Sequence, residues 1–275
     1  MRALGDAAEY VMQVVRDYGF DPSESSRLAQ MRNLLRKGFI RETDSAFDLA
    51  CEALRDIAVL EFAFDQLRAR VPQDDLRGKI ARLVKDSALP QADQSSTPGR
   101  DAQAELHVAA VCQAAGLNPM FKEPDVVAQM DGQPYGLAVK RLKSLSQLEK
   151  RFREAAHQIR HSRAPGFVVL DMVLAANPEN ERLSFVVSDA DFFRMESARF
   201  DGFLKRNQGR FRTWREGWEV RGVIVHDHVV CPVDRNRKWG LRSWTVFTDL
   251  DPFNDGRRKE AHRFWERYSA GFPNQ

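Results

Sequence analysis

Glu123-Pro124-Asp125-Val126-Val127-Ala128-Gln129-Met130, then Asp131-Gly132-Gln133-Pro134, then Tyr135-Gly136-Leu137-Ala138-Val139-Lys140: the reading of this chain turns on that stretch. Two apolar-rich runs flank four residues that favour turns, the composition of a β-hairpin. A two-residue loop, Asp131-Gly132, sets Asp125 across from Ala138; a four-residue loop ending at Pro134 sets it across from Lys140. Residues 138 and 140 share a face, and so do directly opposed residues. Either register therefore projects Asp125 and Lys140 to one side, whereas a three-residue loop would separate them. Proline fits poorly in a paired strand, so Pro134 favours the longer loop.

A carboxylate beside a lysine on adjacent strands is either a cross-strand ion pair or the start of a metal-assisted hydrolytic site. In the second case the carboxylate holds Mg²⁺ and the lysine steadies a water or the growing negative charge. One carboxylate is seldom enough for a divalent ion, so a second should lie nearby.

Outward from the hairpin, Asp101 to Ala115 reads as an apolar-faced helix stopped by Gly116, and 118–122 as a short strand. Gln147 to Arg160 reads as a helix and Phe167 to Leu174 as a buried strand. Further strands are expected at 183–187, 220–230 and 243–247, with a last helix at 257–268. Helices alternating with strands predict an α/β domain with a mixed sheet. Before it, helical periods run from Asp6 to Tyr18, from the cap Asp21-Pro22-Ser23 to Gly38, from Thr43 to Val71 and onward from Pro72. The chain thus divides into an all-α bundle at 1–88, a Pro/Ser-rich linker at 89–100, and an α/β domain at 101–275.

Pro124-Asp125, the hairpin and Val139-Lys140, framed by helices carrying Glu105 and Gln158, resemble the PD-(D/E)XK nuclease superfamily. The likeness covers roughly residues 100–175. It implies a restriction-endonuclease-like mixed sheet flanked by helices, and Mg²⁺ or Mn²⁺ as cofactor. It also implies Asp125 as first metal ligand, Lys140 as catalytic lysine, the Val139 carbonyl as a further ligand, and Glu105 as the supporting helix acid. The tripeptide departs from the pattern: Ala138 stands where the second acidic ligand belongs. Either hydrolysis has been lost, or the carboxylate has migrated to the next helix, as in a restriction-enzyme branch of the superfamily. Glu154, with thirteen residues between it and Lys140, occupies that place. It shares a helix face with Gln158, and Ala155 and Ala156 would let the helix approach the sheet. Glu149 is a weaker candidate and Glu123 a reserve ligand. The likeness predicts a metal-dependent endonuclease, or a silent nuclease fold that binds nucleic acid or serves as an interaction subunit.

Phosphate binding needs positive charge. Of 42 Lys/Arg and 39 Asp/Glu, residues 1–98 hold fourteen and sixteen, which leaves twenty-eight and twenty-three for the rest. Basic residues cluster around Lys140, Arg141, Lys143, Arg151 and Arg160. They recur at Lys205, Arg206, Arg210, Arg212 and Arg215, interleaved with Phe211 and Trp214, and again at 235–242. Arginine mixed with aromatics can grip phosphates and stack on bases. Nucleic acid is the expected partner, DNA in preference to RNA. The N-terminal helices would pair two copies or dock another protein.

His226-Asp227-His228 offers two histidines on one strand face, but the apolar flanks read as a core strand. No CxxC pair, Gly-rich phosphate loop or GxSxG element is present. Cys51, Cys112 and Cys231 are odd in number and widely spaced, which suggests a reducing compartment. No apolar run of membrane-spanning length occurs, and an early acid argues against a secretory signal. A cytoplasmic protein is expected.

Overall fold

The computed structural model describes residues 3–37, 47–84, 98–176, 188–215, 217–232 and 239–272. The chain forms two compact units, Met1–Ala110 and Val111–Gln275.

The first unit is helical: α1 (Leu4–Asp17), α2 (Arg27–Arg36), α3 (Phe47–Leu67), α4 (Gln73–Leu83) and the start of α5 (Pro98–Ala114). Residues Val11, Val14 and Val15 of α1, spaced to share one helix face, are fully buried. Ser26 caps α2, accepting from the Ala29 N–H at 3.3 Å, so this helix starts later than the Asp21-Pro22-Ser23 cap implied. The unit encloses a charged hub. Arg27 donates to Gln103 at 2.7 Å, and Gln103 donates to Asp56 at 3.0 Å. Arg27, Arg55 and Arg100 lie 3.5, 3.4 and 3.9 Å from the same carboxylate. Burial alone would raise the Asp56 pKa; the three guanidiniums outweigh it and hold the carboxyl well below the usual range.

The second unit is built on one five-stranded mixed sheet in the order β1 (Val126–Met130), β2 (Gln133–Arg141), β3 (Gly166–Asp171), β4 (Val220–Pro232), β5 (Trp239–Asp249). β2, β3 and β4 run parallel, and β1 and β5 flank them antiparallel. The β2–β3 connection carries a 3₁₀ turn (Leu145–Gln147) and α6 (Leu148–Ser162); α7 (Val173–Ala176) and α8 (Asp189–Trp214) lie between β3 and β4. α6 and α8 cover one face, packing Phe152, Ala155, Ile159, Phe200 and Phe211 against Ala138, Val168, Leu170 and Val223. α9 (Asp255–Ser269) covers the other face, where Phe264 stacks on Phe167 with ring centroids 4.4 Å apart. No described helix is long and apolar enough to cross a membrane.

Several expectations are corrected. The hairpin loop has two residues, not four: Met130 pairs Gln133 around Asp131 and Gly132, whose φ values of 52° and 77° are those of a type I′ turn. Pro134 sits inside β2 opposite Gln129 without loss, because this is a non-hydrogen-bonded pair and β3 joins only from Gly136 onward. The 118–122 strand reduces to a single bridge, Met120 to Val127. The boundary between units falls at Ala110/Val111, inside α5, rather than in the 89–100 segment. The expected strand at 183–187 and most of that segment lie outside the described residues. α8, a 26-residue helix, was not anticipated.

Candidate active site

The hairpin places the candidate residues. Continuing the Val126–Leu137 register by one residue sets Asp125 across from Ala138, with Lys140 two residues further on the same face. Hydrogen-bonded and non-hydrogen-bonded pairs alternate from the turn, so the Val139 N–H and C=O both point to the β1 side. β1 has ended there, and Asp125 takes over. Its Oδ2 accepts from the Val139 N–H at 2.8 Å and from Lys140 Nζ at 3.0 Å. Lys140 Nζ also donates to the Val139 carbonyl at 3.1 Å. The carboxylate and ammonium side chains keep 15% and 14% exposure.

Neighbouring packing fixes this corner. A Cβ at Gly136 would stand 2.9 Å from Pro124 Cδ, so glycine is what lets the ring lie over β2. From α6, Gln158 donates to the Pro124 carbonyl at 3.1 Å, tying helix and corner together. Ala155 and Ala156, both buried, bring that helix close to the sheet. Asp125, Lys140, the Val139 carbonyl and Gln158 therefore meet at one end of the hairpin.

Other predicted residues are placed differently. Glu154 accepts from Arg151 at 3.0 Å and is 38% exposed, a surface i,i+3 pair. Glu149 is exposed and bound to Arg153; Glu123 is exposed. Glu105 lies in the first unit, where Lys79 and Arg82 of α4 engage it. Among the described residues no group of three or more His, Cys, Asp and Glu is arranged to hold a metal.

The basic residues also separate into two classes. Lys205, Arg206, Arg210 and Arg160 are exposed, and Lys143, Arg151 and Arg212 are partly so. Arg141 and Arg215 are internal partners instead, 3.5 Å from Asp171 and 2.9 Å from Asp251. Phe211 and Trp214, read from sequence as stacking platforms, are buried core of α8. Of the third cluster, 233–238 lie outside the described residues; Arg242 sits over the Phe192 ring, 5.7 Å from its centroid.

His226 and His228 have separate partners, Tyr268 at 3.0 Å and Ser243 at 2.8 Å, in keeping with a core strand. The residue between them is the unexpected one. Asp227 is deeply buried, with Arg199 at 3.4 Å and Glu196 sharing that guanidinium at 3.6 Å. Burial, then the Glu196 charge, push its pKa up to about 7 against the pull of Arg199. Sequence spacing held no sign of this, because α8 brings in Glu196 and Arg199 from a helix that had not been foreseen.

No family model, curated protein or solved structure matches the chain.

Proposed function

We propose that the second unit is a restriction-endonuclease-like domain and that the chain is a metal-dependent endonuclease acting on DNA in the cytoplasm. The observation that carries the reading is that Lys140 Nζ lies within 3.1 Å of both the Asp125 carboxylate and the Val139 carbonyl at the end of a two-strand hairpin. The order α5, β1, β2, α6, β3 along the chain supports it.

The donor set suits a hard cation. Two oxygens, one carboxylate and one carbonyl, are already bridged by a positive group, the Lys140 ammonium. Magnesium is commonly held by one or two carboxylates, with substrate phosphate and water completing its shell. Asp125 and Val139 would hold it; once bound, it supplies charge neutralisation and a more acidic water. The protein's own groups do the rest. Lys140 donates hydrogen bonds to the attacking water or to the phosphate oxygens as charge builds on them. Gln158, through Pro124, keeps Asp125 in place. Water adds to phosphorus and releases a proton to solvent, the bond to the leaving oxygen breaks, and that oxygen takes a proton from solvent. Arg160 on α6 and Lys205, Arg206 and Arg210 on α8 provide exposed charge for flanking phosphates. The helical first unit would pair two copies or dock a partner protein.

A second reading has its own observation. Ala138 is fully buried where a second acid would stand, and Glu154 is bound to Arg151. A silent nuclease fold would bind nucleic acid with the same basic residues and not cut. Supercoiled plasmid incubated with Mg²⁺ and either wild type or Asp125→Ala separates the two, with gel-shift affinity measured in parallel. Cleavage by the wild type alone, at equal affinity, supports the enzyme. Binding without cleavage by either protein supports the silent fold.

A further inference from the structure

The exposed side of α6 carries His157 and His161, one helical turn apart, with ring centroids separated by 4.0 Å. Residues four apart on a helix face the same way, and imidazoles at that spacing can close on one ion. His161 Nδ1 lies 3.0 Å from the His157 backbone carbonyl. A carbonyl oxygen only accepts, so the proton of His161 resides on Nδ1 and the lone pair on Nε2. That is the tautomer a metal ligand needs, fixed by the backbone bond that commonly supports ligating histidines.

The surroundings are compatible with a cation. Arg153, four residues before His157, is engaged by Glu149 at 3.0 Å. Glu154, three residues before His157, likewise balances Arg151 at 3.0 Å. The pair stands apart from the Asp125–Lys140 chemistry: imidazole nitrogen suits zinc, copper and nickel, whereas magnesium demands oxygen.

We propose that His157 and His161 form a surface site for a divalent transition metal on α6, with water completing the shell. It rests on the helix alone and is independent of any nuclease activity.

Full-length wild type, His157→Ala, His161→Ala and His262→Ala would be titrated with Zn²⁺, and then with Cu²⁺, by calorimetry. All three histidines are exposed, so the substitutions leave the core intact; circular dichroism checks this. Wild type and His262→Ala are expected to bind one equivalent that both α6 variants lose or bind at least about tenfold more weakly, by analogy with the loss of a ligand's supporting partner. Cu²⁺ should bind more tightly than Zn²⁺ at the same site. Equal stoichiometry and affinity in all four proteins, or a loss confined to His262→Ala, would overturn the proposal.

Discussion

Asp125 does two jobs at once: it replaces a missing strand partner for the Val139 N–H and neutralises Lys140. Its pairing with Lys140 was legible in the sequence because strand parity fixes which side chains share a face, whatever the choice between two even loop lengths. Glu154 shows where such reasoning stops. Spacing puts it on the same face as Gln158, but a side chain's partner is chosen by what else is within reach, and Arg151 is one turn away. The migrated-ligand hypothesis is open to a sharp test all the same. With Glu154 held by Arg151 and the cation assigned to Asp125 and the Val139 carbonyl, Glu154→Ala and Glu149→Ala should both leave Mg²⁺-dependent plasmid cleavage unchanged; loss of cleavage in Glu154→Ala alone would return Glu154 to the site as the migrated ligand. Asp227 supplies a prediction on stability. Its pKa is raised to about 7 from an ordinary 3.8, so between those values the folded protein holds a proton that the unfolded chain has released. Stability is therefore lost as pH rises through that window. Asp227→Asn should match the wild type near pH 4 and exceed it at pH 8, by at most about 4 kcal/mol. Urea unfolding at both pH values checks this, and an equal difference at both would show that the carboxyl does not titrate with folding.

The elements were read with uneven success, for reasons visible in particular residues. β1, β2, β3 and α6 carry simple apolar patterns and lie close to their expected bounds. Pro134 misled the loop length because composition cannot tell which strand edge a missing N–H will face; here it faces an edge that β3 does not reach. α8 was missed although Phe192, Phe200, Phe203, Phe211 and Trp214 recur at helical spacing and are buried. Its many arginines drew attention to charge, and two core aromatics were assigned to base stacking instead. Backbone approach makes a further test. Gly136→Ala would drive a methyl into Pro124, whose carbonyl Gln158 holds and whose neighbour is Asp125. Overpacking of this kind typically costs about 1–3 kcal/mol. The variant should therefore unfold at lower urea and lose cleavage beyond its loss of folded protein. Cleavage per folded molecule equal to that of the wild type would show that the corner does not position Asp125.

At the scale of the whole molecule, the division into a helical front and an α/β back was foreseen from the change in periodicity. The boundary was not: α5 runs through it as one helix, and helical periodicity does not reveal to which core each turn belongs. The first unit depends on its buried hub. Asp56→Asn removes the carboxylate that Arg27, Arg55 and Arg100 share, although Arg55 keeps its ion pair with Glu52; the loss should cost about 3–5 kcal/mol in urea unfolding, and a change within error would mean that the other partners of these arginines balance them. In the second unit, Asp125 and Lys140 are proposed to converge to cut a phosphodiester rather than merely to pair. The decisive measurement is single-turnover cleavage of DNA by Lys140→Ala, under conditions where wild type and variant are both saturated with substrate and Mg²⁺. A rate at least about a hundredfold below wild type with DNA affinity retained is expected; cleavage by the variant at the wild-type rate would leave the two residues as a structural ion pair only.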